Sequence, residues 1–360
     1  MPGSSGTLPG PRVTPSSILF ELADPDHALA SATIYQEVRR PRLGPAMTRV
    51  EGGWSASLPR PPVDRLEYQL VLERSDGRSA WVPDPSNPLR AEGPFGAKSV
   101  VEMPGYAPPR WLGAGSAPDP PQHSLRIRSR RLGLTTPIQV WTSPGGEPGA
   151  ELPLLVVNDG PEYARFAGLL RFLDTAARAA ELPPHHVALL QPTRRNDEYS
   201  ANPAYAEALV AELIPGVERS VRVRPGPAGR VCMGASLGGL AMLHAHRLHP
   251  DLCAGLCLQS PSFFRRPHDD REGWMGGFPR VVEFVDSVLA GSAAGTHPVA
   301  ALLTCGVVEE NLVGSRMVRD ALAAQGYPVT LVETRDAHNW TSWRDTFEPH
   351  LLSLLQATWG

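Results

Sequence analysis

The sequence predicts two domains: a small all-β, immunoglobulin-like sandwich, then a larger α/β domain built on a mostly parallel sheet. Three observations carry this. The 360 residues exceed the usual size of one domain. The first part of the chain reads as short strands, such as Ala32 to Val38 and Leu66 to Glu73, separated by Pro, Gly and Asp clusters. Further on, near-continuous apolar runs alternate with segments of helical period, the pattern of doubly buried strands joined by crossover helices.

Residues 1–15 are rich in Gly, Ser and Pro, lack the basic and apolar regions of a secretory leader, and read as a floppy tail. Residues 16–105 make the sandwich, with Trp54, Tyr68, Leu70, Leu72 and Trp81 filling the space between two sheets. Residues 106–122 are loaded with Pro, Gly and Ala and read as a linker with few contacts. Residues 123–360 form the α/β domain. Two alternating segments, Leu125 to Leu132 and Ile138 to Thr142, come first. Apolar strands follow at Leu152 to Val157, Val187 to Leu190, Arg230 to Met233, Ala254 to Leu258, Ala300 to Thr304 and Val329 to Val332. Helices are expected over Glu162 to Ala180, Pro203 to Ile214, Leu237 to Leu248, Arg280 to Leu289, Asn311 to Gln325 and Trp343 to Ala357.

Bulk composition narrows the function. Hydrophobic residues are 42% of the chain and charged ones 20%, the balance of a globular protein. A formal net charge of -3 offers no basic stripe for nucleic acid or an anionic membrane, so a small-molecule substrate is expected. No apolar run approaches the roughly 18 residues of a membrane span. Cys232, Cys253, Cys257 and Cys305 all fall in or beside apolar runs, which reads as buried thiols rather than disulfides or a metal site and points to the cytoplasm. No cofactor is implied.

Chemistry enters at Gly234, Ala235, Ser236, Leu237 and Gly238, a G-x-S-x-G run between an apolar strand and a helical segment. In that context the serine occupies a strained turn and its hydroxyl projects above the sheet, with Ser236 as nucleophile. The backbone N–H of Leu237, opening the helix, would face the oxyanion formed when the serine attacks a carbonyl. In such folds the chain order is Ser, acid, His. Of the later histidines, His244, His246 and His249 read as a packed or solvated helix surface, and His268 and His297 as loop residues. His338 follows the last strand on the carboxyl edge of the sheet and is the expected base. The acid should end the strand before it. Glu309 is the first choice there, Glu310 the second, and Asp336 a competitor that can equally be a turn-former.

These residues resemble the enterochelin esterases and the wider esterase D group of α/β-hydrolases. The resemblance is carried by Asn158, Asp159, Gly160; by Arg195 to Tyr199 with Asn202; by Glu212 to Pro215; by the Ser236 turn; by Gly306 with Glu309; and by Ala337, His338, Asn339 with Trp343 and Arg344. Asp84, Pro85, Asn87 and Pro88, with Pro104, Gly105 and Tyr106, extend it to the sandwich. It implies the α/β-hydrolase fold, with Ser236 as nucleophile, His338 as base and Glu309 as acid. Two departures stand out. Asp336 and Ala337 replace a Gly-Gly pair before the histidine, which restricts that loop to negative φ at Ala337. Pro161 has no N–H, so a second oxyanion donor would be the amide of Gly160.

The expected activity is carboxylic ester hydrolysis through an acyl-enzyme. Arg194 and Arg195, in a loop on the nucleophile's side of the sheet, and Trp340, beside the base, are the expected substrate contacts. The family analogy points to a ferric catecholate siderophore, which is anionic. Phe263, Phe264, Trp274 and Met275 would line an acyl pocket or form the core of a cap. The alternatives are a general carboxylesterase or acyltransferase on small acylated substrates, and a non-catalytic binding protein on the same fold. The oligomeric state is not legible.

Overall fold

The computed structural model describes residues 10–43, 46–113, 118–266, 269, 273–291 and 297–360. Most of the expected tail, His268, and residues 114–117 of the expected linker lie outside these. The chain divides into two compact units. One comprises Met1–Ala107, Gly306–Glu310 and Thr334–Thr341; the other comprises Pro108–Cys305, Asn311–Glu333 and Ser342–Gly360.

Among the described residues of the first unit, nine strands form two antiparallel sheets. They are β1 (Arg12–Val13), β2 (Ser17–Ala23), β3 (Leu29–Gln36), β4 (Thr48–Val50), β5 (Gly53–Pro59), β6 (Arg65–Arg74), β7 (Ser79–Val82), β8 (Arg90–Ala91) and β9 (Lys98–Glu102). One sheet runs β1-β2-β5-β4 and the other β3-β6-β9-β8, with β7 on β6. The alternation of β2 turns Ile18, Phe20 and Leu22 inward, and Phe20 meets Tyr68 edge-on at 5.0 Å. Tyr68 keeps its hydroxyl satisfied by donating to Asp84 at 2.6 Å. Two expectations need correcting. Arg12 and Val13 pair with Leu19 and Ile18, so the described end of the tail is strand, because Val13 packs on the sandwich core. Trp81 is not core: it is 56% exposed and packs on Tyr35, since β7 pairs with β6 alone and turns this ring outward.

The second unit holds an eight-stranded sheet: β10 (His123–Ser129), β11 (Leu134–Thr142), β12 (Leu154–Asn158), β13 (His186–Leu190), β14 (Arg230–Ala235), β15 (Gly255–Gln259), β16 (Ala300–Gly306) and β17 (Val329–Thr334). Its order is β10-β11-β13-β12-β14-β15-β16-β17. The antiparallel start gives way to parallel pairing from β13 through β16, whose strands are buried on both faces as their unbroken apolar runs require. β17, at the edge, is only half-buried. The chain reverses direction across the sheet at β12, which has β13 on one side and β14 on the other. That switch point opens a crevice at the carboxyl ends of β12 and β14.

The helices are α1 (Gly160–Phe166), α2 (Leu169–Arg178), α3 (Arg195–Tyr199), α4 (Pro203–Ala208), α5 (Ile214–Glu218), α6 (Leu237–Leu248), α7 (Phe278–Leu289), α8 (Leu312–Ala324), α9 (Trp340–Arg344) and α10 (Leu352–Trp359). Two expected helices are broken. The first splits into α1 and α2 at Gly168, which takes φ 65°. The last splits into α9 and α10 around Pro349, where Glu348 is extended as a residue before proline prefers. The linker expectation fails at Trp111, which is 4% exposed and rests on Phe172 and Phe347 at 5.5 and 6.2 Å. A large indole outweighs the Pro-rich setting around it. Among the described residues no helix is long and apolar enough to cross a membrane.

Burial pushes His185 and His244 down to about 4 from 6.5, so both are neutral in the native state. Between those values the unfolded chain binds protons that the fold refuses, and stability falls as pH drops. Urea midpoints followed from neutral pH to about pH 5 should decline, and less steeply in His185→Gln; an identical slope in the variant would remove His185 from the explanation.

Candidate active site

Ser236 joins β14 to α6 with φ 55° and ψ −126°, a conformation that a residue with a Cβ adopts only when its surroundings impose it. The surroundings do. Its N–H donates to the Gln259 carbonyl at 2.8 Å, and its own carbonyl accepts from Leu240 and Ser262 at 3.1 Å each. A Cβ on Gly234 would come within 2.5 Å of the Gly238 carbonyl, so the approach of helix to strand requires glycine here. Asn158, at the end of β12, ties the turn down by donating to the Gly238 carbonyl at 3.0 Å while accepting from Tyr205. Leu237 and Gly160 are the first residues of α6 and α1, where helical amides lack intrahelical acceptors.

Ser262 is a residue that sequence reasoning missed. Its hydroxyl lies 3.0 Å from Ser236 Oγ, either atom donating, and it is 1% exposed. Only its place three residues past the β15 strand end could have flagged it.

The loop after β16 and the loop after β17 meet within the first unit. His338 Nδ1 lies 2.7 Å from Glu309 Oε2, and Glu309 Oε1 accepts from the Gly306 N–H at 2.7 Å. Glu309 is 2% exposed, whereas its neighbour Glu310 points to solvent. Both oxygens of a buried carboxylate are thereby occupied, one by the loop itself and one by the imidazole, which fixes the ring as the Nδ1–H donor. A Cβ on Gly306 would run into the Asp336 carbonyl oxygen and sit 2.8 Å from Glu309 Oε1. Asp336 does not compete for His338: its Oδ1 accepts from the Ala337 N–H at 2.7 Å and from Asn339 at 2.9 Å. Burial pushes its carboxyl up to about 7 against the pull of Arg65. Ala337 is not among the residues of positive φ, and its methyl is buried in the sandwich core, so the change from glycine is accommodated. Trp340, half-buried, opens α9.

The expected arginine grip takes a different form. Arg195 gives Nε and Nη2 to Asp159 at 2.8 to 3.0 Å and lies over the Tyr199 ring at 5.6 Å. Arg194 gives Nη2 to the Leu132 carbonyl at 3.1 Å, and its backbone N–H donates to Glu198. A buried carboxylate attracts the nearest guanidinium fork, and Asp159 is 4% exposed. Phe263, Phe264 and Met275 are buried in the core of the second unit, while Trp274 is 74% exposed. The four cysteines are buried and form no disulfide, and the described residues contain no group of three or more His, Cys, Asp or Glu side chains fit to hold a metal ion. His246 Nε2 donates to the His297 carbonyl at 2.8 Å and His244 packs edge-on against Phe284, so these two helix histidines belong to packing.

Residues 129–289, a little under half of the chain, match the "Putative esterase" family. The chain is 28% identical over 232 residues to an iron(III) enterobactin esterase of Escherichia coli, an alignment covering 60% of this chain and 57% of that protein. Against the same enzyme from a second Escherichia coli strain it is 26% identical over 328 residues, 86% of this chain and 78% of that one. The chain thus spans between about half and three quarters of the curated relatives it matches. A crystal structure of the enterobactin esterase of Shigella flexneri, determined in the presence of enterobactin, superposes with a TM-score of 0.76 at 23% identity, covering 97% of this chain and 96% of that one. The fold is that of the α/β-hydrolases, preceded by an all-β domain, as the sequence predicts.

If Arg195 braces Asp159, Arg195→Ala should cost about 1–3 kcal/mol of stability and impair anionic and neutral esters alike. A rise in KM confined to anionic esters, with the melting temperature unmoved, would instead return Arg195 to the substrate.

Proposed function

We propose that the protein is a serine esterase in which Ser236, His338 and Glu309 act as a triad, with the amides of Leu237 and Gly160 as the oxyanion donors. The observation that carries this reading is the 2.7 Å bond between His338 Nδ1 and Glu309 Oε2, because it leaves Nε2 as the basic nitrogen. His338 takes the Ser236 proton as Oγ attacks the ester carbonyl. The tetrahedral oxyanion is met by amides at the positive ends of α6 and α1. Collapse expels the alcohol, which leaves with the proton from His338, and water activated by the same imidazole hydrolyses the acyl-enzyme. The strained Ser236 turn supports the nucleophile's role, since such strain is characteristic of serines presented above a sheet.

For the substrate we favour an anionic catecholate siderophore of the enterobactin type, a macrocyclic triester. Support comes from the two Escherichia coli relatives, named iron(III) enterobactin esterases, and from a match that extends over the sandwich domain. Trp340 offers an aromatic face for a catechol ring, and Arg194 carries a positive charge that suits an anionic ligand. Four buried thiols outside any disulfide suit a cytoplasmic enzyme.

Two measurements test this. In Ser236→Ala, hydrolysis should fall by about three to six orders of magnitude, and in Glu309→Gln by about two to four, as the triad acts as a unit. Pure protein incubated with an iron-loaded catecholate triester, and separately with short-chain aryl esters, should release catecholate fragments faster. Turnover of the aryl esters alone would favour a general carboxylesterase.

A further inference from the structure

A second buried carboxylate stands next to the base and the mechanism does not use it. We propose that Asp336, clamped by Arg65 of the β-sandwich, is a positioning residue that fixes the turn presenting His338 to Glu309. The proposal rests on the triad reading above and gives the sandwich domain a part in catalysis.

Asp336 holds the residues on both sides of His338. Oδ1 accepts from the Ala337 N–H before it and from the Asn339 side chain after it. Oδ2 lies 4.0 Å from Arg65 Nη1, at the first residue of β6. Arg65 is held in turn by Glu67 Oε1 at 3.4 Å and by the Tyr106 ring at 5.5 Å. Arg65, Glu67, Asp336 and Asn339 are all buried, so each charge needs its partner in place.

The rest of the first unit anchors the same two loops. The Asp64 N–H donates to the Arg335 carbonyl at 2.6 Å, and Arg335 returns Nε to Asp64 Oδ1 at 2.9 Å. On the acid's side, the N–H groups of Arg39 and Arg40 both donate to the Val308 carbonyl, at 3.0 and 3.1 Å. Val308 and Ala337, each one residue from a proposed triad member, are part of the sandwich core. A carboxylate this deep tends toward the neutral acid, as its shift to about 7 records, and Arg65 is the cation that opposes this; Glu67, with Lys98 and Glu37 beyond it, completes the charges on that side.

The test uses the full-length chain. Proton NMR follows the strongly hydrogen-bonded Nδ1–H of His338, assigned by its loss in His338→Gln, and ester kinetics run alongside. Asp336→Ala should move or broaden that resonance and lower kcat by about 10- to 100-fold with KM changed less than about twofold. Asp336→Asn keeps an oxygen for Ala337 and Asn339 but loses the pair with Arg65, so it should lie between Asp336→Ala and the parent, as should Arg65→Met, while Arg65→Lys should lie closer to the parent. Tyr68→Phe serves as the control, since it removes a buried hydrogen bond of the same sandwich to Asp84, away from both Arg65 and the turn. An unmoved His338 resonance in a folded Asp336→Ala protein overturns the proposal. So does a loss in Tyr68→Phe as large as in Asp336→Ala, which would mark a general stabilising role. If the parent chain hydrolyses no ester, the triad reading fails, while the resonance still decides whether Asp336 positions the imidazole.

Discussion

The hydrogen bond from His338 to Glu309 is the constraint on which the account depends. A carboxylate that is 2% exposed must have both oxygens engaged, and the imidazole meets Glu309 Oε2 while the Gly306 amide meets Oε1. The bond thus does structural and chemical work at once. It closes two loops that start 28 residues apart in sequence, at Gly306 and Thr334, and it selects the tautomer whose other nitrogen is basic. Gly306 makes the closure feasible, because any side chain there would collide with the loop it must meet.

Strain at Ser236 is the complementary feature. A left-handed φ costs on the order of 1–3 kcal/mol, and the fold offsets it with hydrogen bonds to Gln259, Leu240 and Ser262 and with the Asn158 brace on Gly238. These ties come from the end of β15, the loop after it, the end of β12 and the first turn of α6. The second unit therefore fixes the Ser236 turn, while the first unit holds the two loops that carry Glu309 and His338.

Much of this was legible in order and spacing. Unbroken apolar runs located the doubly buried strands, and the strand, turn and helix around Ser236 singled it out as the candidate nucleophile. The sequence of serine, acid and histidine then led to Glu309 and His338. What escaped reading was long-range and polar. Nothing local to Arg65 signals Asp336, which lies 271 residues further on, a separation matched by the Asp64 to Arg335 bond. The arginines at 194 and 195 looked free to meet an anion because the pull of Asp159, buried by a loop after another strand, has no trace in their neighbourhood. Trp81 and Trp111 were misplaced for the opposite reason: alternation and proline content are local, whereas exposure depends on which strand or helix arrives from elsewhere.

The most direct measurement of the central claim is a mass-mapped fluorophosphonate reaction on the folded, full-length chain. A stoichiometric adduct on the peptide containing Ser236, absent in Ser236→Ala and formed far more slowly in His338→Gln, is the predicted result. A folded protein that stays unlabelled, or one labelled at another residue with equal speed, would contradict it.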